Sequence, residues 1–349
     1  MMTGARNVPA PIGRTAGDIV QHAVVRSPNW LGDTVMALPA LRALRAAMPD
    51  ARITLVGRWA SLLVGQGVAD VLLPYPAAWP ERRRFNHTLG ADGADVAILL
   101  VNSLEAGLAA RQWKARRRIG FDTDARRALL TDAVALPDPR RHQAEEYALL
   151  LAPVGVAVTD TTPSWRPVAA SGAEAEIDRL LAEIDAPRGR LVGLHLGASF
   201  GRSKLWPAES FARLASRLDA VRLVPVLLGA PADRDVAAAV AAASRRAPPS
   251  LVGRDRPSLL PRLLSRLSCV VSGDTGIAHL AAALGVPTVT LFGPTDPRLT
   301  APRAPTAHVV ARSVPCAPCF LRSCPIEHPC LRSIEPEEVE RLVRRAAAA

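Results

Sequence analysis

The chain has 349 residues, 49% of them hydrophobic and 21% charged, so it is long enough for two domains with their own cores and too apolar to be disordered. Forty-three Lys and Arg residues against 32 Asp and Glu leave a formal charge of +11, which favours anionic partners: nucleic acid, phosphorylated substrates or an anionic membrane surface. Neither an export signal nor a membrane span is read, because Pro9 and Pro11 interrupt the first 21 residues and His279, Gly285 and Pro287 interrupt the stretch from Ile277 to Phe292. The protein is therefore expected in the cytoplasm, at most resting on the inner face of the membrane, with its five cysteines reduced.

Residues 1–21 read as a flexible lead-in. Short runs rich in Val, Ile and Leu follow at Ala23–Arg26, Arg52–Val56, Val71–Leu73 and Asp95–Val101, with a helical pattern at Thr34–Met48. Pro163 and Pro167 break the alternation in Thr159–Val168, which reads as a linker. Strand patterns resume at Leu191–Leu196, Leu223–Leu228, Ser250–Val252, Cys269–Ser272 and Thr288–Phe292, with helices at Ala208–Leu218 and Ala232–Ala243 between them. Val314–Cys330 is irregular, and Pro336–Arg345 is a closing helix with acids in its first turn and arginines in its last, as the helix dipole favours. Strands apolar on both faces and joined by helices predict parallel sheets covered on both sides. The chain is thus α/β, with two doubly wound halves, residues 22–168 and 169–349, facing a cleft. In such sheets ligands bind beyond the carboxyl ends of the strands.

The loops at those ends hold the candidate site. After the first strand comes Asn29-Trp30-Leu31-Gly32-Asp33, where Asp33 is either a helix cap or a general base. After the first strand of the second half, Gly197, Gly201, Ser203 and Lys204 form a glycine-rich loop before a helix, suited to phosphate, although the lysine comes too late for a P-loop. Lys204 is one of only two lysines in a chain that otherwise uses arginine, which hints at a need for a compact ammonium. Asp274-Thr275-Gly276 opens a helix, offering free amides and a hydroxyl to a diphosphate, and His279 follows one turn later on the same face. Asp233 is either a ribose ligand or an ordinary acid at a helix start.

These loops resemble those of glycosyltransferase family 9, the lipopolysaccharide heptosyltransferases. Arg26–Val56 is similar to the family's opening segment, and His195–Leu214 and Ser272–Pro297 to its donor-side motifs, in the same order along the chain. The resemblance implies a GT-B fold of two Rossmann-like domains, with the acceptor bound by the first and ADP-heptose by the second. It implies an inverting transfer needing no metal or other cofactor, onto the lipopolysaccharide inner core at its first heptose. Asp33 would be the base, and Lys204 would stabilise the departing ADP. Gly197, Ser203, Asp233, Asp274, Thr275, Gly276 and His279 would line the donor site, and Asn29, Asn102 and Arg118 the acceptor site. The sequence departs from the family where Asn102-Ser103 continues as Leu104-Glu105.

Cys316-x2-Cys319-x4-Cys324-x5-Cys330, with His328 between the last two, has the spacing of a zinc knuckle. A structural zinc is one reading, and packed or redox-sensitive thiols are the other; Cys269 belongs to the core. A basic nucleic-acid-binding protein is the rival from another class. It leaves the phosphate loops unexplained, and at 4% aromatic residues the chain has little to stack on bases, so no nucleic acid is expected. A GT-B transferase using another nucleotide sugar is the nearer rival.

Overall fold

The structure, a computed structural model, describes residues 20–166, 168, 172–184, 190–254 and 256–348; all but the last two residues of the expected lead-in lie outside these. The first sheet contains β1 (His22–Arg26), β2 (Arg52–Val56), β3 (Val71–Leu73), β4 (Ala94–Leu99), β5 (Ala115–Phe121) and β6 (Asp132–Val134), in the spatial order β3-β2-β1-β4-β5-β6. The second contains β7 (Arg190–His195), β8 (Leu223–Leu228), β9 (Cys269–Gly273), β10 (Thr288–Phe292) and β11 (Ala307–Ala311), in the order β11-β10-β9-β7-β8. Every pairing is parallel. All strands of a sheet therefore end on one edge, and their following loops gather there. Both sheets carry helices, and the architecture is GT-B.

Several elements differ from the sequence reading. The pattern expected as one helix over Thr34–Met48 is two, α1 (Leu31–Met36) and α2 (Leu38–Ala47), parted at Ala37. Pro39 accounts for the break, since its ring would collide with the carbonyl four residues earlier in a continuous helix. β5 was hidden by three consecutive arginines; Arg116 pairs with Asp95 and Arg117 with Asp132. β6 is three residues long, and β11 is a half-exposed strand at the sheet edge. Ser250–Val252 makes only an isolated bridge to Leu227.

The remaining helices are α3 (Trp79–Leu89), α4 (Leu104–Gln112), α5 (Gln143–Leu149), α6 (Ala173–Glu183), α7 (Ala208–Ala220), α8 (Arg234–Ala243), α9 (Leu260–Ser265), α10 (Gly276–Ala283), α11 (Pro297–Thr300), α12 (Pro329–Arg332) and α13 (Pro336–Ala348). The segment expected as a linker has no helix or strand over residues 159–166, yet it is packed down. Trp165 is buried and its amide donates to the Ala283 carbonyl at 2.7 Å, while the Arg42 guanidinium donates to Ser164. One apolar cluster runs from the first sheet through α1, α2 and α5 into α9 and α10 of the second half. The closing helix α13 lies along α7, where Arg217 pairs with Glu337 and the buried Glu340. Among the described residues no helix is long and apolar enough to cross a membrane.

Candidate active site

The two halves meet at the start of α1 and the start of α10. A Cβ on Gly276 would lie 2.6 Å from Leu31 Cβ and 2.9 Å from the Gly32 amide nitrogen; one on Gly32 would lie 2.8 Å from His279 Cδ2. Only glycine lets the two backbones come this close. The Gly-Asp turn of the first half and the Asp-Thr-Gly turn of the second are therefore in contact.

Asp33 stands in the first turn of α1, but it does not cap the helix: Trp30 is the capping residue, and no side chain bonds to the free amides there. Its Oδ1 instead accepts a hydrogen bond from the Tyr147 hydroxyl, 3.2 Å away on α5. Burial raises the Asp33 pKa above its ordinary value, and Asp274 adds to the rise; His279, Tyr147 and Lys204 pull in the other direction. A carboxylate with a raised pKa is a stronger base towards a hydroxyl than a solvated one.

Opposite it, Lys204 Nζ donates to Asp274 Oδ2 at 2.5 Å and to the Asp274 carbonyl at 3.1 Å. Thr295 donates to the same carboxylate at 2.7 Å, and His279 Nε2 stands 3.9 Å from its other oxygen. Burial alone would raise the Asp274 pKa, but His279 and Lys204 outweigh it and hold the carboxyl at about 2. Thr275 caps α10 in position, with its hydroxyl 2.8 Å from Ser272 Oγ. His195, at the end of β7, is pushed down to about 4 by burial and is neutral in the physiological range.

The other predicted donor residues do not join this group as one set: Gly197 and Asp233 lie together, and Ser203 lies apart from them. Gly197 passes Asp233 so closely that a Cβ would lie 2.5 Å from Oδ2, which itself accepts from the Ala230 amide at 2.8 Å. Asp233 thus combines a helix-start turn with a place beside the glycine loop. Ser203 turns away: its hydroxyl donates to the Leu321 carbonyl at 2.5 Å, and its amide to the Arg322 carbonyl at 3.1 Å. These bonds pin the Cys-rich stretch beneath the Lys204 loop. No three His, Cys, Asp or Glu side chains among the described residues are grouped to hold a metal, so the zinc-knuckle spacing does not close into a ligand set there. Cys316 is exposed, Cys319 and Cys324 are half-buried, and Cys330 is buried.

Of the residues expected to bind an acceptor, Asn29 is exposed and its Oδ1 accepts from Arg26 at 2.8 Å. Asn102 Oδ1 accepts from Arg126 at 3.1 Å. Arg118 lies mid-strand in β5, where its guanidinium donates to the Leu129 and Ala115 carbonyls, each at 2.7 Å, rather than reaching the loop edge. The fully buried Arg126, which sequence reading passed over, stands at that edge and links the loops after β4 and β5 through Asn102 and the Phe121 carbonyl. Tyr147 and Thr295 were also missed. Tyr147 sits 114 residues from Asp33 with no local motif to flag it.

A family model described as "Glycosyltransferase family 9 (heptosyltransferase)" matches residues 82–329. The chain belongs to glycosyltransferase family 9. Among its family relatives, lipopolysaccharide heptosyltransferase 2 of Salmonella typhimurium is 30% identical over 304 residues, covering 82% of this chain and 87% of that one. The solved structure of the E. coli ADP-heptose lipopolysaccharide heptosyltransferase II is 25% identical with a TM-score of 0.77, covering 94% and 98% of the two chains. A family 9 glycosyl transferase from Veillonella parvula, 22% identical, shares the fold with a TM-score of 0.82 over 94% of this chain and 97% of that one.

Proposed function

We propose that this transferase moves L-glycero-D-manno-heptose from ADP-heptose to the inner core of lipopolysaccharide, onto the first heptose, with inversion and without a catalytic metal. Residues 22–168 hold the acceptor and 169–349 the donor. The observation that carries the reading is that the turn bearing Asp33 packs against the turn bearing Asp274 and His279, with Lys204 bonded to Asp274, so that all four groups act on one another. Asp33 takes the proton of the acceptor hydroxyl as that oxygen bonds to the anomeric carbon. The bond from that carbon to the diphosphate breaks, and ADP leaves with the electron pair. Negative charge then grows on the diphosphate, where the amides opening α10 and the Lys204 ammonium are aimed; such preorganised donors are often the largest catalytic contribution.

The acceptor is anchored in an anionic leaflet, and the protein meets it there. The net charge supports this, as do Trp79 on α3 and Leu108 on α4, exposed beside Arg82, Arg83 and Arg111, and the exposed Leu104 at the start of α4. These helices follow β3 and β4 and begin at the sheet edge that carries Asp33. The deciding experiment is incubation of the purified chain with ADP-heptose and defined truncated cores, read by mass spectrometry. One added heptose on a core ending in a single heptose is expected. No addition to any core, or addition from UDP- or GDP-sugars instead, would overturn the proposal.

A further inference from the structure

We propose that Tyr147 is a positioning residue for the transfer: its hydroxyl holds one oxygen of Asp33 and so presents the other to the acceptor. The inference rests on the reading of Asp33 as the base. The hydroxyl donates to Oδ1 at 3.2 Å, and no other donor is bonded to the Asp33 side chain among the described residues. Tyr147 is buried and is one of two tyrosines in the chain.

The helix that carries it is fixed from both halves. His142 caps α5, accepting the Ala144 amide on Nδ1 at 3.2 Å, and its Nε2 lies 2.9 Å from the Ala301 carbonyl beyond α11. The first contact needs a bare Nδ1 and the second a protonated Nε2, which assigns the neutral tautomer. Glu145 pairs with Arg303 of the second half, and the buried Glu146 takes two bonds from Arg140, each at 2.7 Å. The phenol is thus held by a helix anchored on the donor half, while the carboxylate it grips belongs to the acceptor half.

A hydroxyl that donates to a carboxylate favours the ionised form. The charged and titratable groups facing Asp33 are Tyr147 from α5, His279 from α10, Asp274 from the loop before α10, and Lys204 from the glycine loop. Of these, Tyr147 alone is hydrogen-bonded to the Asp33 side chain among the described residues. Removing its hydroxyl leaves burial less opposed.

Tyr147→Phe keeps the ring and its packing and deletes only the hydroxyl. We expect kcat to fall about tenfold, KM for ADP-heptose to stay the same, and the acid limb of the kcat profile to move up by about one pH unit. Replacing Tyr147 with 3-fluorotyrosine, a more acidic phenol of nearly the same shape, should move that limb down and provides a second reading should the Phe variant misfold. A packing role predicts wild-type profiles in both. Unchanged limbs in both, with Asp33→Asn inactive, would overturn the role of Tyr147 and leave the base intact. An active Asp33→Asn would instead sink the base assignment, and this inference with it.

Discussion

The Lys204 ammonium and the Asp274 carboxylate form an ion pair at 2.5 Å with side chains only 11% and 7% exposed. In the proposed mechanism the pair serves both stability and chemistry, and the two contributions are separable. Lys204→Ala should cost about 3–5 kcal/mol by stranding a buried carboxylate, and slow transfer by a hundredfold or more, roughly the loss of one preorganised donor. Lys204→Met combined with Asp274→Asn should recover most of the stability in urea unfolding and none of the turnover. Recovered turnover would show that neither charge acts in the reaction.

The same pair sets a response to acid. The Asp274 carboxyl is held at about 2 against an ordinary 3.8, so the folded state favours its ionised form. That contribution, roughly 2 kcal/mol from the depressed value, is present above pH 4 and lost as pH falls towards 2. Unfolding followed between pH 5 and 2 should show this loss in the wild type and not in Asp274→Asn.

Asp33 has the opposite sign. Its folded-state pKa is raised, so its contribution to stability is present below the unfolded value and lost as pH rises through the folded one. Asp33→Asn should therefore abolish turnover while raising Tm at neutral pH, with ADP still bound, as a thermal shift would report. Lower Tm at neutral pH would contradict the burial cost assigned to this carboxylate. In the wild type, activity should fall as pH drops through a midpoint above the ordinary aspartate value.

Gly276→Ala tests the contact between the halves. The added methyl would stand 2.6 Å from Leu31 Cβ and 2.9 Å from the Gly32 amide nitrogen, and neither atom is the end of a flexible side chain. The halves must part there, and a displacement of about 1 Å commonly costs about a hundredfold in rate. A crystal structure of the variant should show the separation, and unchanged kcat would argue against the need for close approach.

The proposed membrane face predicts co-sedimentation with vesicles containing phosphatidylglycerol, weakened by salt and by Trp79→Ser with Leu108→Ser. Transfer to a water-soluble core oligosaccharide should survive both changes. Wild-type protein that ignores such vesicles would remove this face from the account.

Most of the fold could be read from the sequence because strands buried on both faces are written as short runs rich in Val, Ile and Leu; β2, β8 and β10 fall where those runs stand, as does the half-buried edge strand β3. β5 was missed because cross-strand acids neutralise its arginines, a tertiary compensation that no local pattern reveals. In the candidate site, Asp33, Lys204, Asp274, Thr275, Gly276 and His279 could be singled out because each sits in a strand-to-helix loop with a recognisable composition; their chemical roles are the proposal made above. Tyr147 and Arg126 were not, since each reaches its partner from a helix or turn with an ordinary sequence. Ser203 shows the reverse case: it has the right composition for a phosphate loop, but its hydroxyl is bonded to the Cys-rich stretch.

With lysine so scarce, the chain contains its own chemical reporter. Only Lys114 and Lys204 bear side-chain amines, and they differ sharply in setting: Lys114 is exposed, whereas Lys204 is locked against Asp274. An amine-directed label should mark Lys114 freely and Lys204 only when the cleft admits reagent. The ratio of the two modified peptides would then register substrate occupancy and cleft opening without any engineered probe.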